Sequence, residues 1–308
     1  MTQLSVSEIA RGVFLTQLHA VQAHLDGCIE GNGPIHLHDL RVANRRSRAA
    51  LVEFKSLFPQ DTLSEYQESF RWIHQFTGDV RDLDVGLQHF PIYQRQIPKT
   101  WRTHLEPLRT LLESKREVAQ KELVENLRSD RLARTLSSWS ELLDSDLLEG
   151  FTLSLEPAKE YGCRRITKRY QRVRTKGRKL TKKSPAEAYH NYRITIKKLR
   201  YLMEFFRPVV ENEEFSTLRT ALKTVQDAFG AFQDAEVQAI NLRSLAGELH
   251  QLGVSTDTML ALGQLLGTLE KKQRQSKKAC IKQVRWITED PTARAFQSCF
   301  QYPVDSKK

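Results

Sequence analysis

The 308-residue sequence has no C-x-x-C pair, no apolar run of bilayer-spanning length, little strand-like alternation and, between Tyr161 and Ala186, not one Asp or Glu. Each absence excludes something. The four cysteines, Cys28, Cys163, Cys280 and Cys299, stand far apart, so neither a zinc site nor a disulfide framework is expected, and they read as reduced, mostly buried residues of an intracellular protein. Without about 20 consecutive apolar residues no membrane span is expected. The segment Met1 to Phe14 contains Glu8 and lacks a basic start before an apolar stretch, so no secretory signal is expected and the default location is the cytoplasm.

The acid-free segment matters most. Forty-eight Lys and Arg against 37 Asp and Glu give a formal net charge of +11, and eleven of the cations lie between Tyr161 and Ala186. That one segment therefore carries a charge equal to the whole excess, and the rest of the chain is balanced. A single strongly electropositive surface points to a polyanionic partner.

Helical periodicity fills the space that strands leave. Ser5-x-x-Glu8 reads as a capping box that opens a first helix ending at Gly31-Asn32-Gly33-Pro34. A second helix is expected from Ile35 to Phe58, a third from Thr62 to His89, a fourth from Lys99 to Leu127 and a shorter one from Leu132 to Leu143. A basic helix from Ala158 to Leu180 follows. Ser184-Pro185-Ala186-Glu187 then supplies an N-cap, a Pro at the first helical position and a capping Glu for a helix running to Arg207, with two more over Glu213 to Gln251 and Asp257 to Ile287. Short loops favour antiparallel neighbours, so the expected fold is all-α: two tandem pseudo-symmetric four-helix bundles, residues 1–150 and 151–308.

Register supports a duplication. A shift of 152 places His38, Arg41, Val42, Arg45, Arg46 and Arg48 on His190, Arg193, Ile194, Lys197, Lys198 and Arg200, and it places Gly78, Arg81, Asp82 and Asp84 on Gly230, Gln233, Asp234 and Glu236. Both motifs share the offset without a gap.

At about 100° per residue, His38, Arg41, Arg45 and Arg48 fall in one arc of about 80°, and His190, Arg193, Lys197 and Arg200 do the same. On the earlier helix this stripe lies beside the apolar sector, not opposite it, while Arg46 and Lys198 point elsewhere. The basic helix aligns Arg165, Lys168, Arg169, Arg172, Lys176, Lys179 and Lys183, and the last long helix aligns Lys271, Arg274, Lys278, Lys282 and Arg285. Charged stripes are ordinarily solvated faces. Here the basic helix has seven like-charged i,i+4 pairs, at a cost of roughly 1.5–3.5 kcal/mol that a bound polyanion reverses. Arginine forks and lysine ammonium groups suit phosphate oxygens, so four helices are expected to converge on a phosphate channel. Asp82, Asp84 and Asp234 are expected to pair with the arginines and fix their rotamers, and Gly78 and Gly230 to let helices approach closely.

The blocks His38-x-x-Arg41-Val42-x-x-Arg45-Arg46, His190-x-x-Arg193-x-x-x-Lys197-Lys198-Leu199-Arg200-Tyr201, Gly78-Asp79-Val80-Arg81-Asp82-Leu83-Asp84 and Gln226-Asp227-Ala228-Phe229-Gly230-Ala231-Phe232-Gln233-Asp234 resemble the repeated motifs of the CHAD domain, a family named for conserved histidines and α-helical content. The resemblance covers essentially the whole chain. It implies two pseudo-symmetric four-helix bundles whose basic groove binds inorganic polyphosphate, in a module without catalysis of its own. With the cytoplasm as the default location, association with polyphosphate granules is the matching expectation. Neither cofactor nor metal is expected. The chain departs from a symmetric picture in that Arg11 is nearly the only cation of its first helix, and Arg109, Lys115, Arg116, Lys121 and Arg128 do not line up, so ligand contacts are expected to concentrate in the second half.

Two other functions compete. Nucleic acid is the second candidate partner, although single strands are gripped by cations interleaved with stacking aromatics and the basic stripe contains none. A metal-dependent phosphohydrolase is the third, from His36, His38-Asp39, His74 and Asp79. Ala188 and Asn191 replace His36 and Asp39 in the second half, and no nucleophile with a base is evident.

Overall fold

All regular structure among the described residues, 4–145 and 156–301 of the computed structural model, is helical. The order is α1 (Val6–Ile29), α2 (Pro34–Glu53), α3 (Gln60–Phe76), α4 (Gly78–Gln96), α5 (Glu106–Leu127), α6 (Asp130–Asp144), α7 (Ala158–Arg178), α8 (Ala186–Val210), α9 (Glu213–Gln251), α10 (Thr256–Thr288) and α11 (Asp290–Cys299), with 3-10 turns at Lys55–Leu57, Lys99–Trp101 and Thr103–Leu105.

Several ends follow local chemistry. Ser5 and Glu8 form the capping box of α1, and Ser129, Asn212 and Ser255 cap α6, α9 and α10 by accepting backbone N–H bonds. Pro34 stands at the start of α2, behind Gly33 in a positive-φ conformation (φ 94°) that glycine adopts without a Cβ clash.

Other ends differ from the sequence reading. At α8, Pro185 itself occupies the cap position, and Ser184 Oγ accepts instead from the backbone N–H of Thr181, so the expected box does not form. The expected third helix is two, broken at Thr77, whose hydroxyl donates to Ile73 O. Prolines end neither neighbour: α4 continues through Pro91 and α8 through Pro208.

One hydrophobic cluster joins α1, α2 and α3 to α7, α8 and the start of α9. In it Phe14, Phe54, Phe58 and Trp139 pack edge-on or stacked, and Phe54 also meets Phe205 and Phe206 across the two halves of the sequence. A second cluster, with Phe90, Leu108, Leu112, Leu242, Leu262 and Leu265, joins α4 and α5 to α9 and α10. Truncating a fully buried aromatic such as Phe54 to Ala costs about 3–5 kcal/mol, so the contact between the halves is strong.

Close approach uses glycines other than those expected. A Cβ on Gly162 would lie 2.7 Å from the Phe206 ring and one on Gly177 2.5 Å from Tyr192 Oη, so α7 seats against α8 only where a side chain is missing. Gly230 meets nothing within 4 Å, and Gly78 starts α4 with Arg41 Nη1 3.8 Å from its Cβ position, so neither packs helix against helix.

Candidate functional site

α2 is the shared wall of two open clefts, of about 540 and 450 Å³, that meet at Arg45. His38 to Arg48 span about 15 Å along it at 1.5 Å per residue. The larger cleft lies between α2, α3 and α8; the smaller lies between α2, α4 and α9. Together they are lined by Arg41, Arg45, Arg48, Arg71, Arg81, Arg193, Lys197 and Lys198, by His38, His74, His89 and His190, and by only three carboxylates, Glu53, Asp82 and Asp234.

Several of these side chains are held in place. Arg41 Nη1 donates to His74 O at 2.9 Å and to Thr77 Oγ1 at 2.7 Å, so the break between α3 and α4 is fastened to α2. Arg45 Nε donates to Tyr201 Oη at 2.9 Å, which ties α2 to α8. His190 Nδ1 lies 2.8 Å from Gln233 Oε1; an amide oxygen only accepts, so the ring donates.

Burial and mutual repulsion make this cleft electrostatically unfavourable when empty. Desolvation, then Arg193, Arg45 and Arg200, push the Lys197 ammonium down to about 7 against one opposing carboxylate, Asp234. Desolvation lowers Arg41, Arg48 and Arg193 as well. His74 falls to about 4 through burial and the nearby Arg41, Arg48 and Arg45, and its Nδ1 is buried without a partner. His38 is lowered by burial and Arg81. Arg193 Nε is likewise buried and unpartnered. Anions in the two clefts would offset the repulsion among these cations.

Positions 152 residues apart have neighbours 152 residues apart. Arg81 acts on His38 where Gln233 holds His190, and Asp82 acts on Arg41 where Asp234 acts on Arg193.

Of the sequence-predicted residues, His38, Arg41, Arg45, Arg48, His190, Arg193 and Lys197 line the clefts. Others are placed differently. Arg200 turns to Glu204 on its own helix, 3.5 Å away, the carboxylate that also takes Arg46 at 3.0 Å. Arg165 and Arg169 both bind Glu53, whose side chain is almost fully buried at the cleft edge. Lys176 Nζ approaches Thr195 Oγ1 of α8 at 3.5 Å, while Arg172 and Lys179 are exposed and line neither cleft. Lys168 lines a separate hollow with Arg164 and Phe300.

Lys271, Arg274, Lys278, Lys282 and Arg285 are exposed on α10 and line neither cleft, in contrast to the convergence expected from the sequence. The reason is register: about 180° separates this stripe from buried Leu262, Leu269, Cys280 and Ile287. Asp84 is buried and accepts from Arg116 Nε at 2.6 Å, so it supports α5 rather than the cleft. Asp82 and Asp234 line the smaller cleft but act on Arg41 and Arg193 through space, without a hydrogen bond.

The acid-free segment is less isolated than its sequence suggests. Glu156 and Glu160 reach Arg164, Asp290 reaches Arg174 and Arg178, and Glu53 takes Arg165 and Arg169. Conversely, the sequence reading set Lys198 aside, placed His74 with a metal site and missed Arg71 and Arg81. Arg81 carried a signal in the second repeated motif, and Arg71 a weaker one in falling on Lys223 at the same offset.

The residues named for the third function do not gather into one metal-binding group among the described residues. His36 Nδ1 lies 3.2 Å from His24 Nδ1 and Asp39 lies 3.8 Å from His24 Nε2, which draws both toward α1, and no group of three metal-ligating residues occurs among the described residues. None of the described helices is long and apolar enough to cross a membrane.

The family model described as the CHAD domain matches residues 12–243. The chain belongs to the CHAD domain family. The crystal structure of the CHAD domain from the plant Ricinus communis is similar to it with a TM-score of 0.72 at 20% identity, covering 97% of this chain and 92% of that one. PptA from Streptomyces chartreusis is similar with a TM-score of 0.68 at 15% identity, covering 92% and 99%. No curated protein matches the chain. At these identities the two structures establish a shared CHAD fold.

Proposed function

We propose that this CHAD domain is a non-catalytic binding module for inorganic polyphosphate, which it grips along α2 and α8. The observation that carries the reading is the desolvated cationic cleft: eight Lys and Arg against three carboxylates, with Lys197 held near 7 by burial and its cationic neighbours. A linear chain of phosphates supplies regularly spaced negative charge to such a wall and releases its counterions on binding. Arg41, Arg45, Arg48, Arg193, Lys197 and Lys198 are the gripping residues, with Arg71 and Arg81 at the sides and His38 and His190 as hydrogen-bonding groups. The exposed Lys168, Arg172 and Lys176 on α7, Lys179 at its C-terminal cap, and the α10 stripe serve only chains long enough to leave the cleft.

The matched neighbours of His38 and His190, and of Arg41 and Arg193, support a duplicated architecture of two helical repeats, residues 1–150 and 151–308, with six and five described helices in place of the four each that were expected. The cell compartment that fits this ligand is the cytoplasm, at polyphosphate granules.

Titration calorimetry with tripolyphosphate and with long chains tests the reading. Affinity should rise with chain length, and log K should fall with log salt with a slope of about −0.7 per neutralised charge, or −4 to −7 for six to ten contacts. A salt-independent affinity, or no heat with long chains, refutes it. Against nucleic acid stands the lining itself: its one tyrosine, Tyr201, is buried and engaged by Arg45, so no exposed aromatic platform is present for base stacking. An oligonucleotide of matched charge should compete poorly with polyphosphate.

A further inference from the structure

Resting on the phosphate-binding reading of the cleft, we propose that Lys197 is a covalent modification site, acylated by small acyl phosphates that the surrounding arginines hold. Its position is the argument. Lys197 lies on the cleft wall, one helical turn after Arg193 and facing Arg45, whose guanidinium is fixed by Tyr201. The charged groups that act on it are Arg193 and Arg200 from α8, Arg45 from α2 and Asp234 from α9. Three cations against one carboxylate, in a partly buried setting, favour the free amine, and a free amine is the nucleophile. The same arginines are donors for a phosphate group.

An acyl phosphate presents both matching parts, a dianionic phosphate and an electrophilic acyl carbon. The lone pair of Lys197 Nζ attacks that carbon and forms the C–N bond. The bond from carbon to the phosphate oxygen breaks, its electron pair leaves with inorganic phosphate, and the surplus amine proton passes to the departing phosphate. No oxidant or metal is needed. The product amide is uncharged and bulkier than the ammonium, so acylation removes a cation from the centre of the cleft.

Lys198 is a built-in comparison, because it is the next residue and exposed. At pH 7 a group titrating near 7 is half neutral, and an ordinary lysine is neutral about a thousandfold less. Lower basicity reduces intrinsic reactivity, and bound phosphate restores part of the charge, so an advantage of at least about tenfold is expected.

The full chain is incubated with acetyl phosphate at pH 7.5, acetylation of each lysine is timed by peptide mass spectrometry, and a parallel sample receives the uncharged donor acetic anhydride. The expected result is acetylation of Lys197 about tenfold or more ahead of Lys198 and Lys271, suppressed by saturating tripolyphosphate, with polyphosphate affinity reduced at least about tenfold in the acetylated protein. Selectivity for Lys197 with acetic anhydride but not with acetyl phosphate overturns the proposal and also counts against phosphate binding in the cleft. No selectivity with either reagent, in protein that still binds tripolyphosphate calorimetrically, overturns the proposal alone.

Discussion

Polyphosphate binding at pH 8 should draw a proton from the buffer onto Lys197. In the empty cleft the group titrates near 7, so at pH 8 about nine molecules in ten carry the neutral amine. Burial sets that value first, followed by Arg193, Arg45 and Arg200, with Asp234 opposing. A bound phosphate beside the amine stabilises the ammonium. If it restores two of the lost units, the differential interaction is about 2.7 kcal/mol, and the uptake at pH 8 is about 0.8 proton per cleft. The sign follows: the bound state holds more protons, so affinity falls as pH rises above 7, approaching tenfold per unit, until the bound-state value is passed.

Titration calorimetry at pH 8 in two buffers of different ionisation enthalpy reads the uptake directly, at a pH where phosphomonoester-like chain ends, which titrate near 6, are already ionised. In Lys197→Arg the side chain is charged throughout, so uptake should vanish, and affinity should stay flat from pH 7.5 to 9. Buffer-independent enthalpies for the wild type, together with a pH-independent affinity, would show that Lys197 is not a desolvated member of the site.

Lys197→Met should raise the stability of the ligand-free protein at pH 7 by about 1 kcal/mol, because it removes a desolvated charge beside Arg193 and Arg45, while lowering tripolyphosphate affinity; thermal unfolding and calorimetry measure the two opposite changes. The wild type without ligand should gain stability as pH rises from 7 to about 10, since the unfolded Lys197 retains its proton over that window and the folded one does not. Arg41→Ala should cost about 1–2 kcal/mol in denaturant unfolding besides weakening binding, because it opens the two hydrogen bonds at the break between α3 and α4. Glu53→Gln should destabilise by about 3 kcal/mol, since two guanidinium groups lose their buried partner. Neutralising Lys278 and Lys282 should leave tripolyphosphate affinity within about twofold and weaken only long chains, as measured by titration at fixed salt.

The helical class, the cap of α1 and the α2 stripe were legible because each depends on local chemistry or on a period that survives in one dimension. What failed depended on the other side of an interface. Pro208 did not end α8, because tertiary packing of Val209 and Val210 against the core carries the helix on. The basic helix looked unpaired only because Glu53, Glu156 and Asp290 come from outside its segment. Arg71 and His74 enter the cleft from α3, whose counterpart at the same offset is the start of α9; there Arg71 falls on Lys223, outside the two motifs, and His74 on Gln226.

The difference between α2 and α10 shows what a charged stripe must do to become a site. Both helices align their cations over about 80°, and composition alone ranks α10 as high as α2. On α10 the stripe stands opposite the buried side, so water screens each charge and the helix loses little by carrying it. On α2 the cations sit beside Leu37, Leu40 and Ala43, and α8 closes over them, so the same charges are partly stripped of water and forced together. The empty protein bears that cost, visible in Lys197 and Arg193, and an anion offsets the repulsion on binding. Angular distance from the apolar sector, not the number of cations, therefore separates a site from a solvated face.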